Sequence, residues 1–362
     1  MPSTSELGIP AAGQTVDVKA INVGGTNTLS PSSFFVDPVV PGNDGAHGAV
    51  YSFLIEHPSH GRLLFDLGYR VDEEGFSPAV QGLIGLWKSM SPLYIIEPNS
   101  DVATRLKDGG VPLDTIKAVI WSHNHLDHTG DMSTFPPSTD LIVGPGTDMR
   151  TYPQHADAIL VESDTAGRKV IELSFDHGLK IGDLDALDYF GDGSLYILNT
   201  PGHHPGHISA LARTTPTTFA LLGGDCCHHP GHIRPTVDLH ASCPCPGHIL
   251  EAVKDSVSAT HFTPHGADSK FDLANRTEPM FELPKGLSVY TDIKEAATTL
   301  KKVAKFDACV DVLFLIAHDS TTPEVVPEFP ERFNDWKEKG YKEKLTWRFI
   351  EKESRAFLFG DK

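Results

Sequence analysis

The residues best suited to chemistry lie together in Ser122-His123-Asn124-His125-Leu126-Asp127-His128. Four potential metal ligands, His123, His125, Asp127 and His128, fall within six residues. Two imidazoles at i and i+2 can bind one ion, and the Asp and His that follow can turn toward a second ion nearby. Nitrogen and carboxylate ligands suit zinc, and a catalytic zinc keeps one position open for water. Three further candidates each follow an apolar run: His203 in Thr200-Pro201-Gly202-His203, Asp225 in Gly223-Gly224-Asp225, and His318 after VLFLIA. A single histidine in such a place is more often structural. This many ligand types at this spacing points to a metal centre.

The surrounding pattern explains how such a set could be positioned. From Val16 the chain reads as strands, VDVKAINVG, GAVYSFLIEHP and GRLLFDLGY, parted by turns rich in Gly, Pro, Asn and Asp. Ser100 reads as an N-cap, DVATRLKD as a helix, and Gly109-Gly110 as its end. IKAVIWS is a short buried strand that delivers the chain into His123. Strands and helices then alternate through DLIVGPG, LYILNTPG, FALLGGD, DIKEAATTLKKVAKF and VDVLFLIA. Two halves, each a sheet with helices outside it, account for this as a four-layer α/β domain. The apolar segment GFSPAVQGLIGLWKSMSPLYIIEPN lacks clean periodicity and fits either a core helix or a cap over a pocket.

The order HxHxDH, TPGHxPGH, GD and a late His after an apolar strand resembles the metallo-β-lactamase superfamily. LLFDLG at residues 63–68 resembles that family's early strand ending in Asp-x-Gly. The resemblance covers roughly residues 16–320 and implies the four-layer αββα fold, with two mixed sheets and outer helices. It further implies two Zn2+ per chain. His123, His125 and His203 would hold the first, Asp127, His128 and His318 the second, with Asp225 bridging them. Asp66 would orient the metal loop, as outer partners of ligands do, or be a plain turn aspartate. His207 would support the TPGH turn, and His204 reads as solvated. Within the family's lactonases a Tyr stands three residues after the bridging Asp, where this chain has His228. His228 could donate a hydrogen bond to a substrate carbonyl, or be a buried histidine.

With two zinc ions roughly 3.5–4 Å apart, a shared water supplies hydroxide near neutral pH. It would attack a carbonyl while Asp127 steers it and carries a proton. The expected function is opening of a small cyclic ester or amide, as in quorum-quenching lactonases and fungal lactone- or lactam-detoxifying hydrolases. Thioester hydrolysis is one alternative, although no basic cluster offers a path for a charged pantetheine or glutathione arm. An iron-dependent, persulfide-dioxygenase-like oxidoreductase is another. A non-catalytic module is disfavoured because every ligand is present.

The rest of the chain bounds these readings. Its 362 residues, 40% hydrophobic and 22% charged, suit a soluble globular protein with a full core. A net charge of -18 argues against nucleic acid, and no apolar run is long enough to span a membrane. The expected partner is a small lactone or lactam, with a homodimer as a possible assembly. Five cysteines, an odd number, do not make a disulfide framework, and no signal peptide is visible, so a cytoplasmic setting is expected. Cys226-Cys227 and Cys309 read as packing, and Cys243-Pro244-Cys245 is a weak metal motif. Residues 1–14 read as a flexible tail, and 15–325 as the metallo-β-lactamase domain. Within that domain 226–290 reads as a cap insertion over the metals, and 326–362 as a C-terminal extension packed on it. Arg234 in the cap would contact a polar substrate group or serve a structural ion pair.

Overall fold

The computed structural model describes residues 2–39, 46–91, 94–256, 276–351 and 354. Period-2 alternation of apolar residues builds its centre, because successive strand side chains point to opposite faces. The first sheet runs in the order β1 (Asp17–Asn22), β2 (Tyr51–His57), β3 (Gly61–Phe65), β4 (Ile116–Ile120), β5 (Asp140–Val143), β6 (Val170–Glu172). Its first two pairings are antiparallel and the rest parallel. The second sheet runs β7 (Lys180–Ile181), β8 (Leu184–Asp188), β9 (Leu195–Asn199), β10 (Ile208–Arg213), β11 (Phe219–Leu222), β12 (Val312–Leu315). It is antiparallel except for the final β11–β12 pair. Both sheets are therefore mixed.

Their inner faces meet in one core. Val18, Phe53, Phe65 and Ile120 from the first sheet pack with Ile197, Ala210, Leu222 and Leu315 from the second. The alternate residues face outward against helices. Leu54, Leu64 and Val119 pack on Val80 and Ile84 of α1 (Pro78–Met90) and Leu106 of α2 (Val102–Asp108). Leu198, Leu221 and Phe314 pack on Leu300 and Val303 of the long helix Ile293–Ala308. This is the expected four-layer αββα arrangement. Among the described residues no helix is long and apolar enough to cross a membrane.

Two local expectations differ from what is observed. Helix α2 is capped by Asp101, whose Oδ1 accepts the Thr104 N–H at 2.6 Å, and not by Ser100. Residues 2–14 are docked: Leu7 and Ile9 are buried, and Arg213 Nη2 donates to the Pro10 carbonyl at 2.6 Å. The apolar segment around α1 serves both roles weighed for it. Val80 and Ile84 face the core, while Leu83, Leu86, Trp87 and Met90 wall a cleft.

Of the described part of 226–290, His228 and residues 287–289 line that cleft. The helices of that part, α3 (Val237–Ser242) and α4 (Gly247–Ser256), belong to a separate cluster. There Leu239, Cys245 and Ile249 meet Trp347 and Phe349 from the C-terminal stretch. Residues 257–275 of the expected cap lie outside the described residues. The C-terminal stretch is itself part of the core, since Phe333 and Trp336 are buried between the sheets. It also covers the open edge of β1: Phe329 and Phe333 N–H groups donate to the Ala20 and Val18 carbonyls, and Asn334 Oδ1 accepts the Val18 N–H. Unpaired strand edges need such cover.

Arg234 is a structural residue. Its guanidinium is buried, donates to both Asp307 carboxylate oxygens at 2.8 Å, and reaches the Thr346 carbonyl at 3.1 Å. It thus ties the 226–256 segment to the long helix and to the C-terminal stretch. Removing one partner of a buried pair strands the other charge, which costs about 3–5 kcal/mol. Asp307→Ala is expected to lower unfolding stability by that amount in urea titrations, with no change in bound metal.

Candidate metal centre

The seven candidate ligands sit just beyond strand ends, and the turns that carry them leave little freedom. Strand β4 runs into Trp121 and Ser122, which places His123 and His125 before a single helical turn, Leu126–Thr129, bearing Asp127 and His128. His203 follows β9 on a turn where Gly202 has φ +124°, and a Cβ there would lie 2.1 Å from the Ala296 nitrogen. Asp225 follows β11 through Gly224, at φ +54°, where a Cβ would lie 2.8 Å from that of Ser122. Only glycine meets both demands. His318 follows β12, and its Nδ1–H donates to the Ala49 carbonyl at 2.9 Å, which turns Nε2 inward.

Two groups result, and Asp225 belongs to both. In the first, His203 Nε2 is 3.1 Å from His123 Nε2 and 3.1 Å from His125 Nδ1. In the second, His318 Nε2 is 3.1 Å from Asp225 Oδ1 and 3.3 Å from Asp127 Oδ2, and His128 Nε2 is 3.3 Å from Asp225 Oδ2. Zinc–nitrogen bonds of ~2.0–2.1 Å set neighbouring tetrahedral ligands roughly 3.3 Å apart. The spacings match that shell edge, and the donor types suit zinc. The structure brings together all seven residues singled out in the sequence.

Outer partners hold these ligands. Asp66 Oδ1 accepts the Ser122 N–H at 2.6 Å, and Oδ2 accepts from His128 Nδ1 at 2.8 Å. Of the two readings weighed for Asp66, the geometry fits the orienting one. His207 Nδ1–H donates to the Thr200 carbonyl at 2.9 Å, leaving Nε2 to accept the Asp225 N–H at 3.0 Å. His207 therefore fixes the backbone of the shared carboxylate as well as its own turn. His204 is half-buried, its ring centre 4.5 Å from that of His125, and is less solvated than its sequence suggested.

Burial and charge divide the site. Desolvation, with help from neighbouring imidazoles, drives His123 and His203 well below the ordinary histidine value and His125 to about 3. These three are neutral, as ligands must be. Burial opposes charge on His318 too, but the carboxylates of Asp225 and Asp127 hold it at about 10. Burial likewise works against ionised Asp127, yet the charges of His128 and His318 draw it down to about 2.

Tyr290 joins the site unannounced by any sequence signal. Its Oη lies 2.7 Å from His228 Nδ1, while His228 Nε2 lies 3.1 Å from Asp225 Oδ2. Cys226, Cys227 and Cys309 are buried in the core beneath the long helix, in keeping with packing, and none of the possible metal groups among the described residues contains a cysteine. In a third group, His57, His60 and Asp192, the His57 ring is already engaged. His57 Nδ1 accepts the Ser59 and His60 N–H groups, and Nε2–H donates to Asp192.

A cleft of about 430 Å³ opens above the candidate metal ligands. Phe34, Phe35, Tyr69, Tyr94 and the α1 residues form its walls, and among the described residues no Lys or Arg lines it. A larger hollow of about 840 Å³, between residues 276–285 and the long helix, contains none of the candidate metal ligands.

Similar proteins agree with this layout. The metallo-β-lactamase superfamily model matches residues 45–220. A metallo-hydrolase of Annulohypoxylon moriforme is 39% identical over 95% of this chain and 89% of its own length. A gamma-lactamase of Fusarium pseudograminearum is 37% identical over 94% and 83%. Cytochrome P450 monooxygenases of Penicillium brevicompactum match 95% of this chain at 41% identity, but the match spans only 38% of those longer proteins. A solved quorum-quenching N-acyl homoserine lactone lactonase has the same fold, with a TM-score of 0.52 at 19% identity over 88% of this chain and 99% of that one.

The charge division has a measurable consequence. A His318 held at about 10 is protonated at neutral pH and must lose that proton before Nε2 can bind an ion. The first group needs no such loss. Binding of a divalent metal ion such as zinc at the second group should therefore release protons and tighten as pH rises from 6 to 9, by up to about tenfold per unit for each proton released. Chelator competition, with calorimetry in buffers of different ionisation enthalpy, checks this. Asp66→Ala should weaken zinc retention by roughly 10- to 100-fold.

Proposed function

The chain belongs to the metallo-β-lactamase superfamily, and from that premise we propose that it is a two-zinc hydrolase that opens a cyclic ester or amide with an uncharged, largely apolar body. The observation that carries this reading is the convergence of seven candidate ligand residues, five of them lining an apolar cleft that has no Lys or Arg among its described lining residues. The gamma-lactamase relative supports a cyclic amide or a close chemical cousin. The lack of Lys or Arg among the described lining residues weighs against thioesters with a charged pantetheine or glutathione arm.

His123, His125 and His203 would hold one zinc, Asp127, His128 and His318 the other, and Asp225 would lie between them. When bound, the ions supply a water-derived nucleophile at neutral pH and a Lewis-acid hold on the carbonyl. The side chains do the rest. Asp127 is the most open of the second group, with its side chain 16% exposed at the cleft floor. As a carboxylate it can orient the attacking water, take its proton, and pass that proton to the leaving oxygen or nitrogen. His228 presents Nε2 beside Asp225, where it can donate to the carbonyl oxygen as charge grows there. On α1, Leu83, Leu86, Trp87 and Met90 lie at i, i+3, i+4 and i+7 and give the substrate's apolar body a surface. The five unpaired thiols suit a reducing, cytoplasmic setting.

Metal content and hydrolysis measured on one purified sample test the proposal. The panel contains homoserine lactones, aryl lactones, benzoxazolinones and thioesters. Two zinc ions per chain and chelator-sensitive ring opening are expected. Asp127→Asn should lower kcat by roughly 10²- to 10⁴-fold. Trp87→Ala should act mainly on KM, as loss of uniform binding does. One iron per chain, with persulfide oxidation and no hydrolysis, would sink the proposal.

A further inference from the structure

His228 sits at the cleft with both ring nitrogens engaged. Nε2 faces Asp225 Oδ2 at 3.1 Å, and an ionised carboxylate only accepts, so this nitrogen carries a hydrogen. In the neutral ring Nδ1 is then an acceptor, and the Tyr290 Oη–H, 2.7 Å away, is its donor. An imidazole has two tautomers, and the bond made by one nitrogen decides what the other presents. Without the phenol, Nδ1 could carry the hydrogen and Nε2 would turn a lone pair toward the cleft.

Tyr290 is placed firmly enough for this task. It is buried at 4% exposure, and its N–H donates to Ser288 Oγ at 3.0 Å. The next two residues are stitched to the metal turn: the Thr291 N–H donates to the His203 carbonyl at 2.8 Å, and the Asp292 N–H to that of Gly202 at 2.9 Å. The Tyr290 ring stands edge-on to both His203, at 5.3 Å, and His228, at 5.0 Å. Phe35 closes on the His228 ring at 5.1 Å. The phenol does not line the cleft, whereas His228 does. The Tyr290 hydroxyl therefore reaches the chemistry through His228, while its ring packs on His203 as well.

We infer that Tyr290 is a positioning residue that locks His228 in its Nε2–H form, so that one hydrogen-bond donor points at the reacting carbonyl oxygen. The catalytic consequence rests on the hydrolase reading above; the tautomer lock stands on geometry alone.

Tyr290→Phe removes one hydroxyl and keeps the ring. Ring-nitrogen NMR of histidine-labelled protein reads the His228 tautomer, metal-free and zinc-loaded, with His228→Phe spectra for assignment. The single Nε2–H form of the parent should become a mixture with Nδ1–H in the variant. On the cyclic ester or amide opened fastest, the zinc-loaded variant should lose roughly 10- to 100-fold in kcat. Its KM should stay within about twofold, as for an interaction made in the transition state. Adding Tyr290→Phe to His228→Phe should cost nothing more, because the two act as one unit.

An unchanged Nε2–H form would overturn the inference, and so would losses that multiply in the double variant. A Tyr290→Phe protein that sheds zinc or melts early while keeping the Nε2–H form would reduce the phenol to scaffold. If the parent protein opens no ring at all, the hydrolase reading fails, and the tautomer measurement still decides the role of Tyr290.

Discussion

One carboxylate constrains the whole molecule. The Asp225 oxygens lie between 3.1 and 3.8 Å from ring nitrogens of five histidines: His123, His128, His203, His228 and His318. Asp225 is also 2% exposed. A buried charge of this kind costs several kcal/mol unless opposite charge and good geometry compensate it. The compensation comes from distant parts of the chain, since β4, β9, β11 and β12 each end at this point. The two sheets must face each other in one register for those ends to meet. The inter-sheet core, the glycine turns and the His207 tether to the Asp225 N–H all serve that meeting.

The same carboxylate explains why the two halves of the site differ. Asp225 Oδ1 faces His318, and Oδ2 faces His128 and, at longer range, His123 and His203. Asp66 adds negative charge directly beside His128, and Asp127 beside both His128 and His318. Those two imidazoles are therefore held as cations while the first trio stays neutral. Without metal, the second half stabilises itself as ion pairs, and the first has only converging lone pairs to offer. A metal ion relieves the first arrangement and must compete with protons for the second.

How much of this was legible in the sequence follows from the range of each interaction. The seven candidate ligands were readable because each sits on a short motif at a strand end, where type and spacing are local. The layer order was readable from alternation in runs such as FALL and VLFL. Asp66 was readable as a candidate, yet its bond to His128 spans 62 residues and needed the β3–β4 pairing. The dual face of α1 was not readable, because a helix with apolar residues toward both core and cleft shows no clean period. The covering of the β1 edge by residues 328–334 spans over 300 positions. Nothing local in PEFPERFND marks it. Arg234 was ambiguous for a related reason: its partner Asp307 lies on another element, and only burial of both shows an ion pair.

Tyr290 belongs to that illegible class, and the reason lies in the residue it serves. A phenol three residues after the shared aspartate, as the lactonase resemblance would have it, carries one hydrogen on one oxygen and needs only to point. An imidazole in that place has two nitrogens and a choice of where the hydrogen goes. Asp225 favours Nε2–H from one side, but a metal drawing on that carboxylate weakens its pull. A second hold on the far nitrogen is then required, and it must come from a group that donates. Tyr290 supplies it from a segment 62 residues away, fastened to the His203 turn by two backbone bonds. The departure from the family pattern at His228 and the presence of a buried phenol behind it are thus one arrangement. Neither half is intelligible in physical terms without the other.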